Sequence, residues 1–323
     1  MLDLIRCADS LAFLAEPGMR PIFATRPKNL QLAHLTTVKP FINDFAEAVA
    51  AHKEFVFQAH LNQAVRAILT RDDLDALSND IGLLFGMQHA PARMTLNRMQ
   101  ILKELGLRVI SIAYAGRNEY GCGYEDDGGL TPQGQDLIVD VTESGVIIDL
   151  SHASHQTAID TLDFIRREQF QTHVMASHSG CNSVFPHPRN LHDDVLRGIA
   201  ELHGYVGIPL ITFLLGKDGS NPYVEFVRHV RHAQIVMGLD KIGIGSDCLH
   251  QDRTIGAAAG YFEKMLQMLK PDSKLGARFP DRPERIIEQG NDLFGVLEEE
   301  IGYNRAVLSE NFMKFLRRSL PVE

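Results

Sequence analysis

Three apolar runs between residues 146 and 245 end in side chains able to hold a metal ion or move a proton. Val146-Ile147-Ile148 leads into Asp149-Leu150-Ser151-His152, and His173-Val174-Met175-Ala176 leads into Ser177-His178-Ser179. Ile242-Gly243-Ile244-Gly245 leads into Ser246-Asp247. Two neutral imidazoles and a carboxylate delivered to one mouth would supply the protein side of a divalent-metal site and leave a position for water, the chemistry of metal-assisted hydrolysis. A lone His at a strand end is more often a structural hydrogen-bonding residue; two of them with an Asp favour a site.

The elements that must position these residues are short and apolar. The runs Leu11–Leu14, Leu30–Leu35, Ile81–Phe85, Val109–Ile112, Val146–Leu150, Val174–Ala176, Tyr205–Ile208 and Ile242–Ile244 are continuous rather than alternating, as strands covered on both faces are. Helical periodicity fills several gaps between them, over Gln135–Thr142, Asp194–Leu202 and Tyr223–Val236, with Gly145, Gly204 and Gly238 as stops. Strand–helix alternation with eight strands predicts an α/β chain folded as one (β/α)₈ TIM-type barrel with a C-terminal helical extension, a single domain over residues 1–323. An open doubly wound sheet is the competing arrangement, but no GxGxxG follows the first strand. In a barrel the active site lies at the C-terminal strand ends, where His152, His178 and Asp247 fall.

Composition narrows the function further. With 45% hydrophobic and 23% charged residues, the chain is that of a globular protein. Lys and Arg number 32 against 41 Asp and Glu, a net charge of −9, which repels nucleic acid and acidic bilayers. There is no Trp to anchor a protein-recognition surface. The cysteines Cys7, Cys122, Cys181 and Cys248 form no CxxC pair and read as free thiols of a reducing, cytoplasmic compartment. The longest apolar stretch, Val206–Leu215, falls short of the roughly 18 residues of a membrane span. A small-molecule substrate is therefore expected, with no nucleic-acid or membrane partner; a homo-oligomer is compatible with this composition.

Several linked segments carry a resemblance. Gly129-Leu130-Thr131-Pro132-Gln133-Gly134, Gly145 through Ser154, Ala176-Ser177-His178-Ser179, His187-Pro188-Arg189-Asn190, Gly243 through Asp247 and Gly290 through Val296 closely resemble, in order, the membrane-dipeptidase (renal dipeptidase-like) family of metal-dependent amidohydrolases. The resemblance implies a (β/α)₈ barrel, two zinc ions bridged by a glutamate, and hydrolysis of dipeptides with tolerance for D-residues at the C-terminal position. By the same resemblance His152 and His178 match the histidines of the second zinc. Asp247 matches the aspartate that handles protons, and Arg189 matches the arginine that holds the substrate carboxylate.

The departures are as informative. The family's first zinc uses an H-x-D on the first strand, where this chain reads Leu11-Ala12-Phe13-Leu14-Ala15-Glu16. Gln88 stands at the position of the bridging glutamate, and Tyr114 replaces a substrate-contacting His. A neutral amide cannot offset the repulsion between two dications as a carboxylate does. The expectation is a dipeptidase-type hydrolase for a dipeptide or small amide with a free carboxylate. One zinc would sit on His152 and His178 with help from Gln88, Asp247 would be the proton carrier, and Arg189 and Tyr114 would contact substrate. The alternative is an inactive barrel that binds a small carboxylate. Glu16 reads as a loop carboxylate, His155 as a residue at a helix start, and His187 and His192 as loop polar residues. Cys181 and Cys248 read as inert thiols, and Met265 and Met268 as helix core.

Overall fold

A computed structural model describes residues 7–13, 30–61, 64–217, 220–249, 302 and 304–322. Its centre is a closed ring of eight parallel strands: β1 (Cys7–Phe13), β2 (Leu30–Thr36), β3 (Ile81–Met87), β4 (Leu107–Ser111), β5 (Ile147–Asp149), β6 (Val174–Ala176), β7 (Tyr205–Ile208) and β8 (Ile242–Ile244). Each pairs in parallel with the next, and β8 returns to β1 through Asp9 and Ile244. Two short strands, Val65–Ala67 and Cys248–Leu249, add to β3 and β1 outside the ring. No helix among the described residues is long and apolar enough to cross a membrane.

The expected strands at Val174–Ala176, Tyr205–Ile208 and Ile242–Ile244 match residue for residue. The first does not. It begins at Cys7, because the polar pair Asp9-Ser10 faces partners inside the fold: Asp9 Oδ1 accepts the Ser246 N–H at 2.8 Å, and the Ser10 hydroxyl shares its proton between Ser177 O at 2.7 Å and Ile244 O at 2.8 Å. The segment 290–296, Met265, Met268 and Glu16 lie outside the described residues.

The packed helices include α1 (Phe45–His60), α2 (Leu96–Glu104), α3 (Pro132–Ser144), α4 (His155–Arg167), α5 (Asp193–Glu201), α6 (Pro222–Met237) and α7 (Asn311–Ser319). Their ends follow local chemistry. Thr131 caps α3 through the Gly134 N–H with Pro132 in the first turn, and Gly145 ends it at φ 70°. Ser154 caps α4 through the Thr157 N–H, and Ala158, Leu162 and Ile165 are its buried face. The C-terminal helix α7 closes the barrel floor: Phe312, Phe315 and Leu316 join Leu32, Leu84, Val109, Ile147, Met175 and Tyr205 in one interior cluster.

Above that apolar floor the interior is polar, with Ser10, His34, Asp149 and Ser177 all buried. Glycine makes the layer possible. A Cβ on Gly86 would collide with His34 Nε2 and come within 3.1 Å of Val109 Cβ. Gly86→Ala is therefore expected to cost about 1–3 kcal/mol by overpacking, measured by urea unfolding; a change below about 0.5 kcal/mol, the range of an innocuous surface change, would mean that the layer has slack.

Candidate active site

Both expected metal-ligating histidines leave the ends of neighbouring strands and meet. His152, after β5, is 5% exposed, and His178, after β6, is fully buried. Their Nε2 atoms lie 2.9 Å apart, with ring centroids at 4.8 Å. Burial above all, then the nearby Arg189 cation, pushes both imidazoles well below their ordinary pKa, so both are neutral.

A buried carboxylate decides how His178 presents itself. Asp149 Oδ1 accepts from Ser151 N–H at 3.0 Å, Ser151 Oγ at 2.6 Å and Ser177 N–H at 3.0 Å, and Oδ2 accepts from Ser177 Oγ at 2.6 Å. Having spent its proton on Asp149, the Ser177 hydroxyl accepts from His178 Nδ1–H at 2.7 Å. The His178 lone pair is thereby left on Nε2, facing His152. Outer partners that set the tautomer in this way are what a metal-binding imidazole requires.

His152 is held differently. Tyr114 stacks on its ring at 4.1 Å and 26°, with Phe41 edge-on to Tyr114 at 6.0 Å. His152 Nδ1 is buried without a hydrogen-bond partner among the described residues.

Arg189, in the turn before α5, is drawn into the interior. It is 4% exposed, with Nη1 donating to Ser151 O, Nη2 donating to His178 O at 3.2 Å, and Nη2 3.4 Å from His152 Nε2. Its guanidinium carbon lies 5.4 Å from the Tyr124 ring centroid. Among the described residues it forms no salt bridge, so its charge is neutralised only by carbonyl dipoles and more distant carboxylates such as Asp247 and Asp149. A buried guanidinium in that condition favours an incoming anion. His187, expected to be an ordinary loop residue, is also buried and accepts the Arg189 N–H at 3.1 Å, which fixes the turn.

Asp247 follows β8 at φ +54°, held by its N–H to Leu11 O at 3.0 Å. The residue is partly reached by solvent, but its Oδ1 is buried and unpartnered among the described residues. Burial lifts its pKa to about 7; Asp9 adds to the rise and Arg189 opposes it. A left-handed backbone at a non-glycine residue is strain of the kind found at functional sites. Gln88, one residue beyond β3, is 2% exposed with Nε2 unpartnered. The fold thus puts His152, His178, Arg189 and Tyr114 in direct contact. No hydrogen bond among the described residues joins Gln88 or Asp247 to them.

Asp149, Ser177, Ser151 and Tyr124 escaped the sequence reading as site residues. The signal that could have found the first three is their place in the same strand-end motifs as the histidines.

The remaining candidates sort as expected. His155 is 3.3 Å from Asp194 with its side chain 40% exposed, a surface contact at the start of α4. Burial pushes the Cys181 thiol up to about 12, which leaves it inert. The Cys248 side chain lies outside the described residues.

The membrane dipeptidase family, peptidase family M19, matches residues 33–259, well over half of the chain. The chain belongs to this family. Dipeptidase tcpJ of Claviceps purpurea is 30% identical over 223 residues, 64% of this chain and 51% of that protein. Dipeptidase verJ of Clonostachys rogersoniana is 34% identical over 155 residues, 46% of this chain and 38% of that protein. The match thus spans about half or less of the length of these relatives.

Among solved structures, an amidohydrolase from Pseudomonas aeruginosa superposes with a TM-score of 0.78 at 22% identity, covering 97% of this chain and 96% of the other. A metallo peptidase from Rhodobacter sphaeroides, liganded with a phosphinate mimic of the dipeptide L-Ala-D-Ala, superposes at 0.69 and 17% identity, over 98% of this chain and 100% of the other. At those identities the likeness is one of fold.

Peptidase family M19 is metal-dependent, and the residues of this chain can be tested against an ion. Two neutral imidazoles whose Nε2 atoms face each other are suitable donors for zinc. Among the described residues, however, no group of three or more His, Cys, Asp or Glu is placed to hold a metal. The lost H-x-D is occupied by Leu11, buried and apolar, and Phe13.

Proposed function

We propose that this M19 chain is a metal-dependent hydrolase of the dipeptidase type, acting on a dipeptide or related small amide with a free carboxylate, and using one zinc ion rather than two. The observation that carries the reading is the neutral His152–His178 pair beside a buried arginine that forms no salt bridge among the described residues. His152 and His178 would hold the ion, with Gln88 as a weak neutral donor; when bound, zinc lowers the pKa of a water and polarises the scissile carbonyl. The absence of a carboxylate bridge and the neighbouring guanidinium both argue against a second dication.

The chain's own residues divide the remaining work. Asp149 and Ser177 keep the His178 lone pair on Nε2. Arg189 takes the substrate carboxylate, and Tyr114 holds the His152 ring in place by stacking. Asp247, poised near neutrality, accepts the proton of the attacking water as its oxygen bonds to the carbonyl carbon. It then returns a proton to the leaving nitrogen as the C–N bond breaks, giving a carboxylate and an amine. A second reading, a barrel that binds a small carboxylate without turnover, is favoured by the loss of the first-strand ligands.

Elemental analysis of protein purified without added zinc, a dipeptide panel and calorimetry with amino-acid carboxylates test this together. At most one zinc per chain is expected; two tightly held ions would sink the one-zinc reading. His152→Ala and His178→Ala should lose the metal and His155→Ala should keep it. Arg189→Ala is expected to weaken carboxylate binding about 30- to 150-fold, or roughly 2–3 kcal/mol. Indifference to that change would remove the substrate assignment, and binding without turnover of any amide would favour the second reading.

A further inference from the structure

The loop between β2 and α1 carries an aromatic side chain to the rim of the site. Lys39 O accepts the Ile42 N–H at 3.1 Å, which closes a turn with Pro40 and Phe41 at its tip. Proline presets the backbone at the first of these two positions. The turn is tied on both sides. Thr37 N–H donates to Gly86 O at 2.9 Å, His89 Nε2 donates to Ile42 O at 2.8 Å, and Ala92 N–H donates to Asn43 O at 2.8 Å. Phe41 is nevertheless 57% exposed, a large apolar ring held in water by a fixed backbone.

A lone exposed apolar residue needs no explanation, but this one is joined to the site. Its ring meets Tyr114 edge-on, with centroids 6.0 Å apart and planes at 86°. Tyr114, itself only partly buried, stacks on His152 at 4.1 Å. An aromatic series therefore runs from solvent to a histidine of the site. Two rings at right angles form a corner, and a third apolar group that enters it packs on both.

Strand order gives the corner its place along a ligand. Phe41 follows β2, Tyr114 follows β4, His152 follows β5 and Arg189 follows β6, all at the C-terminal ends of one parallel ring. A ligand whose carboxylate sits on Arg189 and whose amide reaches His152 runs from β6 past β5. Its residue on the acyl side of the amide continues toward β4 and β2, where the two rings stand.

We propose that Phe41 and Tyr114 form a subsite for a bulky apolar side chain on the acyl-side residue of the substrate, and that Phe41 sets this preference. The proposal rests on the reading of Arg189 as the carboxylate anchor, and the two can fail separately. Phenylalanylglycine, glycylphenylalanine and glycylglycine place one benzyl group on either side of the amide or on neither. Each is titrated into the full chain by calorimetry, and any that turns over is compared by kcat/KM instead. Phenylalanylglycine is expected to bind about 10-fold more tightly than glycylglycine, the gain from burying one ring against two others.

Phe41→Ala should abolish that difference, and Phe41→Tyr, which keeps the ring, should retain it. Phenylalanylglycine that binds no more tightly than glycylglycine, or a difference that survives Phe41→Ala, overturns the subsite. A dependence on Phe41 shown by glycylphenylalanine and not by phenylalanylglycine overturns its assignment to the acyl side. Glycylglycine binding that is indifferent to Arg189→Ala overturns the anchor instead, while the benzyl contrast still judges the rim. Absence of binding by all three overturns both.

Discussion

Asp149→Asn is expected to lower kcat/KM by about 10³–10⁴ while leaving the barrel folded, although Asp149 is not expected to touch substrate. Its Oδ1 receives three hydrogen bonds, from Ser151 N–H, Ser151 Oγ and Ser177 N–H, so the amide oxygen of Asn must stay on that side. The amide NH₂ then replaces Oδ2 and donates to Ser177 Oγ, which has donated to Asp149 at 2.6 Å. The Ser177 hydroxyl must turn and donate to His178 Nδ1, and the imidazole proton moves to Nε2. The nitrogen that faced His152 no longer offers a lone pair. A wrong-tautomer histidine costs about 10⁴ in a serine-protease triad, and loss of an outer partner typically costs 10- to 100-fold in metal affinity. Zinc titration and ¹⁵N NMR of the His178 ring should both register the change. A variant with normal zinc affinity and the proton still on Nδ1 would contradict the relay.

Activity is expected to rise with pH through about 7, and Asp247→Asn to abolish that rise and lower the rate about 10²- to 10⁴-fold, the usual contribution of a positioned acid–base group. Asp247 must be ionised to take a proton from water, so the acidic limb of the profile is its titration. Groups that set this pKa are Asp9, which raises it, and Arg189, which lowers it, against the dominant effect of burial. The same shift has a stability consequence of opposite sign. A carboxyl whose folded pKa lies above its unfolded value stabilises the fold while both states are protonated, and that contribution is lost as pH climbs from about 4 to about 7. Asp247→Asn should therefore raise stability at pH 8, by about 1 kcal/mol or more, as it removes activity. Urea unfolding at pH 5 and pH 8 with a pH–rate profile checks both halves. An acidic limb that survives in the variant would assign the titration to another group.

The sequence by itself determined the barrel, because continuous apolar runs between helical segments have few other ways to be covered on both faces. It also determined the chemical inventory at the strand ends: two histidines, an aspartate, an arginine, and the substitution of neutral or apolar residues at Leu11, Phe13 and Gln88. It was least informative where polar residues enter a strand. The first expected strand began only at Leu11 and left out Asp9 and Ser10, whose partners Ser246 and Ser177 lie 237 and 167 positions away. Nothing in the sequence places His34 against Gly86; only the closed ring packs one against the other. Tertiary structure alone decided that Asp149 sets the His178 tautomer through Ser177 and that Arg189 is buried against the carbonyls of Ser151 and His178. Those features depend on which donor meets which acceptor across neighbouring strands, and strand register rather than spacing along the chain sets those meetings.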